Sequence, residues 1–201
     1  MNSALMGAAV RHLRKKDKIM SALISQHGPI TIRTTRPPHY HGLVRAIINQ
    51  QLSVKAGQTI EKRLQQAQGG RHFNAERILQ LKPSAMRHCG LSGNKIKYIR
   101  TLAEAVCTGE LNFRKLARQD DDEVRNTLIQ YPGIGQWSAD IFLMTALQRT
   151  DILPIGDLVL RKSMQKHYQL GHDEKHEHYL SIASSWQPYR SIASFYLWKA
   201  S

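Results

Sequence analysis

A short turn rich in proline and glycine, residues 131–135 (YPGIG), constrains the fold of this chain more than any other part of its sequence. Proline disfavours helical geometry in the residue before it, so the helix predicted to begin at Asp121 ends at Tyr131. Gly133 and Gly135 let the backbone bend through dihedral angles that other residues avoid, while Ile134 plugs the turn. The sequence therefore predicts two helices joined by a tight turn.

The second helix of this pair carries Trp137, Ile141 and Met144 at helical spacing, which predicts one buried stripe. Its first backbone N–H groups lack partners within the helix and suit a phosphate oxygen. Helix pairs with small residues between them are also common in all-helical proteins. On spacing alone, DNA binding and plain packing therefore both stay open.

The rest of the chain also shows the periodicity of helices. Leu43, Val44, Ile47 and Ile48 mark a buried helix face, and no stretch of useful length alternates apolar and polar residues. We therefore predict an all-α fold. A chain of 201 residues is long enough for one substantial domain or two small lobes.

The limits of several helices are also expected from the sequence. A first helix is expected from Lys16 to His27, and residues 65–71 (QQAQGGR) are expected to form a loop. Ser53 can cap the helix that follows it, and Ser92 or Asn94 can cap a later one.

The charge balance favours a polyanionic partner. Lys and Arg number 29 against 15 acidic residues, a formal charge of +14. Positive charges in such excess repel one another within a folded protein, and binding to a nucleic acid compensates for this repulsion. The predicted solvent face of one helix carries Lys95, Lys97 and Arg100. Because the whole chain is strongly basic, phosphate contact is favoured for them over a role in solubility alone. No apolar run approaches the roughly 20 residues of a membrane span, so we expect no membrane partner.

The segment Gln50-Gln51-Leu52 separates two apolar helices. Its simplest interpretation is a loop. The alternative is a wedge, because an enzyme that acts on a base must extrude it from the stack and fill the gap. An amide side chain can fill that gap and bond the orphaned partner base.

Asp157 follows Pro154-Ile155-Gly156 and precedes three apolar residues. Aspartate serves well as a helix N-cap, which is the simplest interpretation. The N–H groups and dipole of that helix would also keep the carboxylate ionised near neutral pH, as a group that stabilises positive charge requires. The two roles are compatible.

The three tryptophans are most economically core residues, and for Trp186 we predict that role. Trp137 follows the turn and Trp198 lies near the chain end, so either can line a cleft. Aromatic faces attract cations by roughly 0.5–2 kcal/mol. Such a ring would select a ring-methylated, cationic purine over a normal base.

Metal and disulfide sites are not predicted. Cys89 and Cys107 suggest a reducing compartment and are too few to ligate an iron–sulfur cluster alone. A group of histidines lies in and beside a polar loop without a strong metal signature. These histidines are His167, His172, His176 and His178.

Four segments, taken in order, resemble the helix-hairpin-helix (HhH-GPD) superfamily of DNA glycosylases, and within it the bacterial and fungal 3-methyladenine DNA glycosylases. One segment alone is a weak signal, whereas four at the family's spacing are specific, and the resemblance covers about residues 40–199. The segments are residues 47–53 (IINQQLS), 90–95 (GLSGNK), 132–140 (PGIGQWSAD) and 154–161 (PIGDLVLR).

The resemblance implies two helical lobes with an active-site cleft between them. One is a barrel-like lobe of six helices at residues 40–150, with the helix-hairpin-helix at about 122–148. The other combines residues 1–39 with 151–201. Residues 31–38 (TIRTTRPP) are then a plausible crossing between the lobes.

The resemblance also assigns roles to residues. Asp157 matches the catalytic aspartate, and Gln51 falls on the intercalating loop, with Gln50 and Leu52 as alternatives. Pocket positions are matched by Trp137, Trp198 and Ile141, although some relatives carry an aromatic residue where this chain has Ile141. Phosphate contacts are implied for Gly133, Ile134, Gly135, Gln136 and Lys95.

The identity of one residue bears on the type of reaction. Superfamily members that also cleave the strand place a lysine nucleophile where this chain has Trp137, and a Schiff base requires an amine. The resemblance therefore implies a monofunctional glycosylase of base excision repair. Such an enzyme flips and excises alkylated purines, 3-methyladenine or 7-methylguanine, by hydrolysing the N-glycosidic bond and leaving an abasic site.

The resemblance implies no cofactor and no iron–sulfur cluster. It allows a structural Na⁺ or K⁺ at the hairpin, held by the backbone carbonyls of Ile129, Tyr131 and Ile134. The expected partner is double-stranded DNA with alkylated bases, bound by a monomer that is cytoplasmic and nucleoid-associated in a bacterium or nuclear in a eukaryote. Two alternatives stay open: a glycosylase for ethenoadenine or a deaminated purine, and a non-catalytic helix-hairpin-helix DNA-binding protein.

Overall fold

The computed structural model describes residues 3–30 and 39–201, and these residues form helices and turns without a strand among them, which confirms the all-α class. The predicted crossing at residues 31–38 lies outside this range. No helix in the described ranges is long and apolar enough to cross a membrane. The helices are α1 Ser3–Lys16, α2 Lys18–His27, α3 His39–Asn49, α4 Val54–Ala67, α5 Ala75–Gln80, α6 Pro83–His88, α7 Gly93–Cys107, α8 Phe113–Leu116, α9 Asp121–Leu128, α10 Gln136–Thr145, α11 Leu158–Tyr168, α12 His176–Ser184 and α13 Arg190–Lys199.

The chain divides into two compact units. The terminal unit combines Met1–Thr35 with Gln148–Ser201, and the central unit is Arg36–Leu147. The limits expected from the sequence, residues 40 and 150, lie a few residues from these boundaries. The cleft expected between the two lobes stays a prediction.

Asp17 organises the core of the terminal unit. Its Oδ1 caps α2 by accepting the N–H groups of Ile19 at 2.8 Å and Met20 at 2.9 Å. Its Oδ2 accepts the hydroxyl of Tyr168 and the indole N–H of Trp186, each at 2.7 Å. Trp186 is fully buried, which confirms its predicted place in the core.

Two helix limits differ from those expected. The helix predicted from Lys16 begins at Lys18, because the carboxylate of Asp17 caps its first turn. The loop predicted from Gln65 begins later, because α4 continues to Ala67. The preceding helix α1 was not predicted at all, and it buries Ala9 and Leu13 in the terminal core.

The central unit is built around α3, which packs against α4, α7 and α10. The predicted buried face of α3 is confirmed, since Leu43, Val44, Ile47 and Ile48 are fully buried. The hydroxyl of Ser53 caps α4 as predicted, accepting the N–H of Ala56 at 3.3 Å. At the start of α7 the cap is Ser92, one of the two residues that the sequence left open.

Candidate functional site

The turn between α9 and α10 has the shape expected of the glycine-rich run. Gly133 has a φ of 85°, in the left-handed region that favours glycine. A Cβ atom at this position would overlap the ring of Tyr98, so the close approach also excludes a side chain. Ile134 is buried and plugs the turn, as predicted. Gly135 is the N-cap of α10 and offers no side chain to the first N–H groups of that helix, which is favourable to an anion.

An ion pair ties the two helices of the hairpin together. Arg125 of α9 donates from Nε to Oδ1 of Asp140 in α10 at 2.7 Å, and from Nη1 to Oδ1 of Asp122 at 2.7 Å. Asp140 is buried, and burial raises the pKa of its carboxyl although Arg125 opposes the shift. This pair was not predicted from the sequence. The signal for it is that Asp140 is the one charged residue of α10.

The buried stripe predicted for α10 is wrong at two of its three positions. Met144 is fully buried, but Trp137 and Ile141 are only half-buried. The face that enters the core is instead lined by Ala139, Phe142 and Leu143, all at most 1% exposed. Four apolar residues follow one another from Ile141 to Met144, so the periodicity did not distinguish the buried face from its neighbour. Partial exposure of Trp137 and Ile141 is compatible with the pocket positions implied for them.

The elbow between α3 and α4, residues 49–53, holds the three wedge candidates in different environments. The side-chain amide of Gln50 donates to the carbonyl of Gly133 at 2.7 Å and to the hydroxyl of Ser138 at 3.1 Å. Gln50 is therefore bound to the hairpin. Gln51 and Leu52 are exposed, and Gln51 has a φ of 55°. These two residues are better placed to reach a partner than Gln50 is.

The predicted solvent face of α7 is wrong for two of its three basic residues. The ammonium of Lys95 donates to the carbonyls of Ile48 and Gln50, each at 2.8 Å. The guanidinium of Arg100 donates to the carbonyl of Leu81 at 3.0 Å, at the end of α5. Burial lowers the pKa of the Lys95 ammonium. Lys97 is exposed as expected. The sequence shows which helix face a residue occupies, but not which carbonyl groups another segment brings to that face.

Asp157 caps α11, as predicted. Its Oδ1 accepts the N–H of Leu160 at 2.8 Å and the indole N–H of Trp198 at 3.1 Å. The terminal unit thus brings together the predicted catalytic carboxylate and one predicted pocket aromatic. Both donors, the N–H at the start of α11 and the indole N–H, bind the same carboxylate oxygen.

The surroundings of Asp157 are partly apolar. Leu158 and Val159, directly after the aspartate, are 56% and 48% exposed. The ring of Trp198 also meets Phe195 edge to face, with a centroid distance of 5.4 Å. The carboxylate of Asp157 thus has exposed apolar side chains next to it in the sequence as well as two hydrogen-bond donors.

The cation and metal hypotheses have different outcomes. Of the three carbonyls expected to hold a monovalent cation, that of Tyr131 accepts the N–H of Ile134 at 3.1 Å. A carbonyl oxygen has two lone pairs, so this bond still leaves room for a cation, which stays a prediction. Within residues 3–30 and 39–201, no cluster of three or more His, Cys, Asp or Glu side chains could hold a metal ion. His178 instead lies 3.2 Å from the carboxylate of Glu174.

Known proteins resemble this chain in sequence and in structure. The family model described as HhH-GPD superfamily base excision DNA repair protein matches residues 44–188. DNA-3-methyladenine glycosylase 1 of Schizosaccharomyces pombe is 30% identical over 186 residues, which are 92% of this chain and 81% of that protein. The structure of the 3-methyladenine DNA glycosylase of Schizosaccharomyces pombe in complex with abasic DNA matches with a TM-score of 0.87 at 28% identity, covering 96% of this chain and 95% of that one.

A third relative comes from a bacterium. DNA-3-methyladenine glycosidase of Bacillus halodurans matches with a TM-score of 0.81 at 33% identity, covering 96% of this chain and 88% of that one. The chain belongs to the HhH-GPD superfamily of base excision DNA repair proteins, in its 3-methyladenine glycosylase branch.

Proposed function

We propose that this protein is a DNA glycosylase that flips and excises alkylated purines, 3-methyladenine and also 7-methylguanine, from double-stranded DNA. The observation that carries the proposal is the carboxylate of Asp157, bound at the start of α11 by the N–H of Leu160 and the indole of Trp198. The relatives that bear the name 3-methyladenine glycosylase support the same substrate class.

The chemistry follows from the charge of the substrate. A ring-methylated purine is a cation, so it leaves with the electron pair of the C1′–N bond and needs no strong acid. The sugar left behind resembles an oxocarbenium ion, and the negative charge of Asp157 stabilises it. Water adds to C1′ and releases one proton, which leaves an abasic site and a free neutral base.

Selection of the damaged base rests on aromatic rings. A cation over an aromatic face gains roughly 0.5–2 kcal/mol, and more when it is desolvated. The indole of Trp198 donates to Asp157, and this supports the proposal that its ring contacts the base attached to the reacting sugar. Trp137 and Ile141, both half-buried in the central unit, are the other proposed pocket residues.

The hairpin and the elbow would hold the DNA. The N–H groups after Gly135 suit a backbone phosphate, with Gly133, Ile134 and Gln136 in the same turn. The carbonyls of the turn would hold a monovalent cation, which adds positive charge at that point. Gln51 or Leu52, both exposed, would fill the gap left by the flipped base.

A panel of lesions tests the substrate class. Purified protein is incubated with methylated genomic DNA and with duplexes that contain ethenoadenine or hypoxanthine, and the freed bases are separated by chromatography. We expect release of 3-methyladenine to be at least about tenfold faster than release of the two neutral lesions, because the cationic base leaves readily and binds an aromatic face. Faster release of ethenoadenine or hypoxanthine would replace the proposed substrate. Retained DNA binding without release of any base would indicate a non-catalytic binding protein.

We further propose that the enzyme does not cleave the strand. By resemblance to the family, Trp137 matches the position at which strand-cleaving members carry a nucleophilic lysine, and indole cannot form a Schiff base. Borohydride added during the reaction should therefore trap no covalent complex between protein and DNA on a denaturing gel. The product strand should break only after treatment with alkali. A glycosylase with known lyase activity, run in parallel, shows that trapping works, and an adduct with this protein would contradict the proposal.

A further inference from the structure

We infer that Lys95 is a positioning residue, which holds the elbow at residues 49–53 in the shape needed for intercalation before DNA arrives. The inference rests on the proposed function, because it concerns how the same enzyme flips a base. It differs from the phosphate contact that the sequence suggested for Lys95.

The first support is the position of the ammonium at the end of α3. Its Nζ donates to the carbonyls of Ile48 and Gln50, each at 2.8 Å. The last carbonyls of a helix have no partners within it, and the helix dipole places negative charge there. A half-buried cation is favourable at this point. Lys95 belongs to α7, so this contact ties the elbow to a helix more than forty residues away.

The second support is that Gln50 is held from both sides. Its backbone carbonyl accepts from Lys95, while its side-chain amide donates to the carbonyl of Gly133 and the hydroxyl of Ser138. The elbow is therefore anchored to α7 through one group and to the hairpin through another.

The third support is the backbone of the next residue. Gln51 has a φ of 55°, a left-handed conformation that costs a residue with a side chain about 1–2 kcal/mol. A strained conformation persists only where its surroundings hold it. The two anchors on Gln50 lie directly before Gln51, and after it Leu52 is 38% exposed. Without the ammonium of Lys95, we expect the elbow to relax and its exposed side chains to lose their fixed direction.

The functional consequence lies in the flipping step. An elbow that is already ordered enters the base stack without a further loss of conformational entropy during the reaction. Loss of Lys95 should therefore slow base flipping and excision at saturating enzyme. A lost phosphate contact has a different signature, because it weakens DNA binding and lowers the slope of log Kd against log salt by about one.

The test compares three variants. Lys95→Met keeps the length of the side chain and removes its charge, Lys95→Arg keeps a donor, and Lys62→Met removes one exposed cation from α4 as the matched control. Thermal unfolding is measured first, and all assays are run well below the midpoint of the least stable variant. The readouts are the single-turnover rate of base release from methylated DNA and the fluorescence of 2-aminopurine beside an abasic-site analogue. Kd is measured at several salt concentrations.

We expect Lys95→Met to lower the rate and the 2-aminopurine signal by about tenfold, with Kd within about threefold and the salt slope unchanged. Lys95→Arg should recover most of the rate, and Lys62→Met should keep it. A wild-type rate for Lys95→Met would overturn the inference, as would a salt slope lowered by one or a failure of Lys95→Arg to recover activity. If the wild type released no base, the proposed function would fail, but the 2-aminopurine signal would still decide the role of Lys95.

Discussion

Asp157→Asn is expected to lower the single-turnover rate of base release by about a hundredfold or more. The amide keeps an oxygen that can accept the N–H groups of Leu160 and Trp198, so the cap of α11 and the local geometry should survive. What it loses is the negative charge that stabilises the sugar cation. The measurement is release of methylated bases at enzyme concentrations well above Kd, so that a change in binding does not enter the rate.

DNA affinity and stability separate this effect from misfolding. We expect Kd for DNA with an abasic-site analogue to stay within about threefold of the wild type, and the unfolding midpoint to change little, because the cap is retained. Asp173→Asn, which removes an exposed carboxylate from the same unit, is the matched control and should release bases normally. Equal release by Asp157→Asn and the wild type would contradict a catalytic carboxylate at this position.

Asp157 also shows how far a sequence can predict a site. Its capping role depends on the next three residues, and such local contacts can be predicted, as they were for Ser53 and Ser92. Its contact with Trp198 joins residues 41 positions apart and depends on how α13 packs beside α11. The resemblance to a family named both residues, but it did not imply the hydrogen bond between them.

The contacts of the elbow were not predicted, for a different reason. Helical periodicity placed Lys95 outside, and the helix itself is where it was expected. The carbonyls of Ile48 and Gln50 come from the end of α3 and from the elbow. No sequence pattern within α7 indicates that they contact Lys95. Likewise, the resemblance put Gln51 first among the wedge candidates and kept Gln50 and Leu52 as alternatives, and the structure adds that the hairpin binds the amide of Gln50. Helical periodicity and helix caps depend on residues that are close in sequence, so they can be predicted. Contacts between segments that are distant in sequence cannot be predicted in this way.

The hairpin gives the second large effect, because Gly133→Ala should damage both folding and DNA binding. The backbone of Gly133 has a φ of 85°, and a Cβ atom would overlap the ring of Tyr98. We expect a loss of about 2–4 kcal/mol in the free energy of unfolding, from the left-handed backbone and the overlap together. Displacement of the turn also moves the carbonyl that binds Gln50, so DNA affinity should fall by about tenfold or more. Urea unfolding and fluorescence anisotropy with labelled duplex measure the two effects.

Gly135→Ala is the matched control for this substitution. At Gly135 φ is −100° and a Cβ atom would meet nothing within 4 Å, so alanine should change the free energy of unfolding by less than about 1 kcal/mol. The double variant Gly133→Ala with Tyr98→Ala removes the overlapping ring and leaves only the cost of the left-handed backbone. Its loss should therefore be smaller than the sum of the two single losses. Strictly additive losses would show that Tyr98 does not limit this turn, and wild-type affinity in Gly133→Ala would show that the turn does not hold the phosphate.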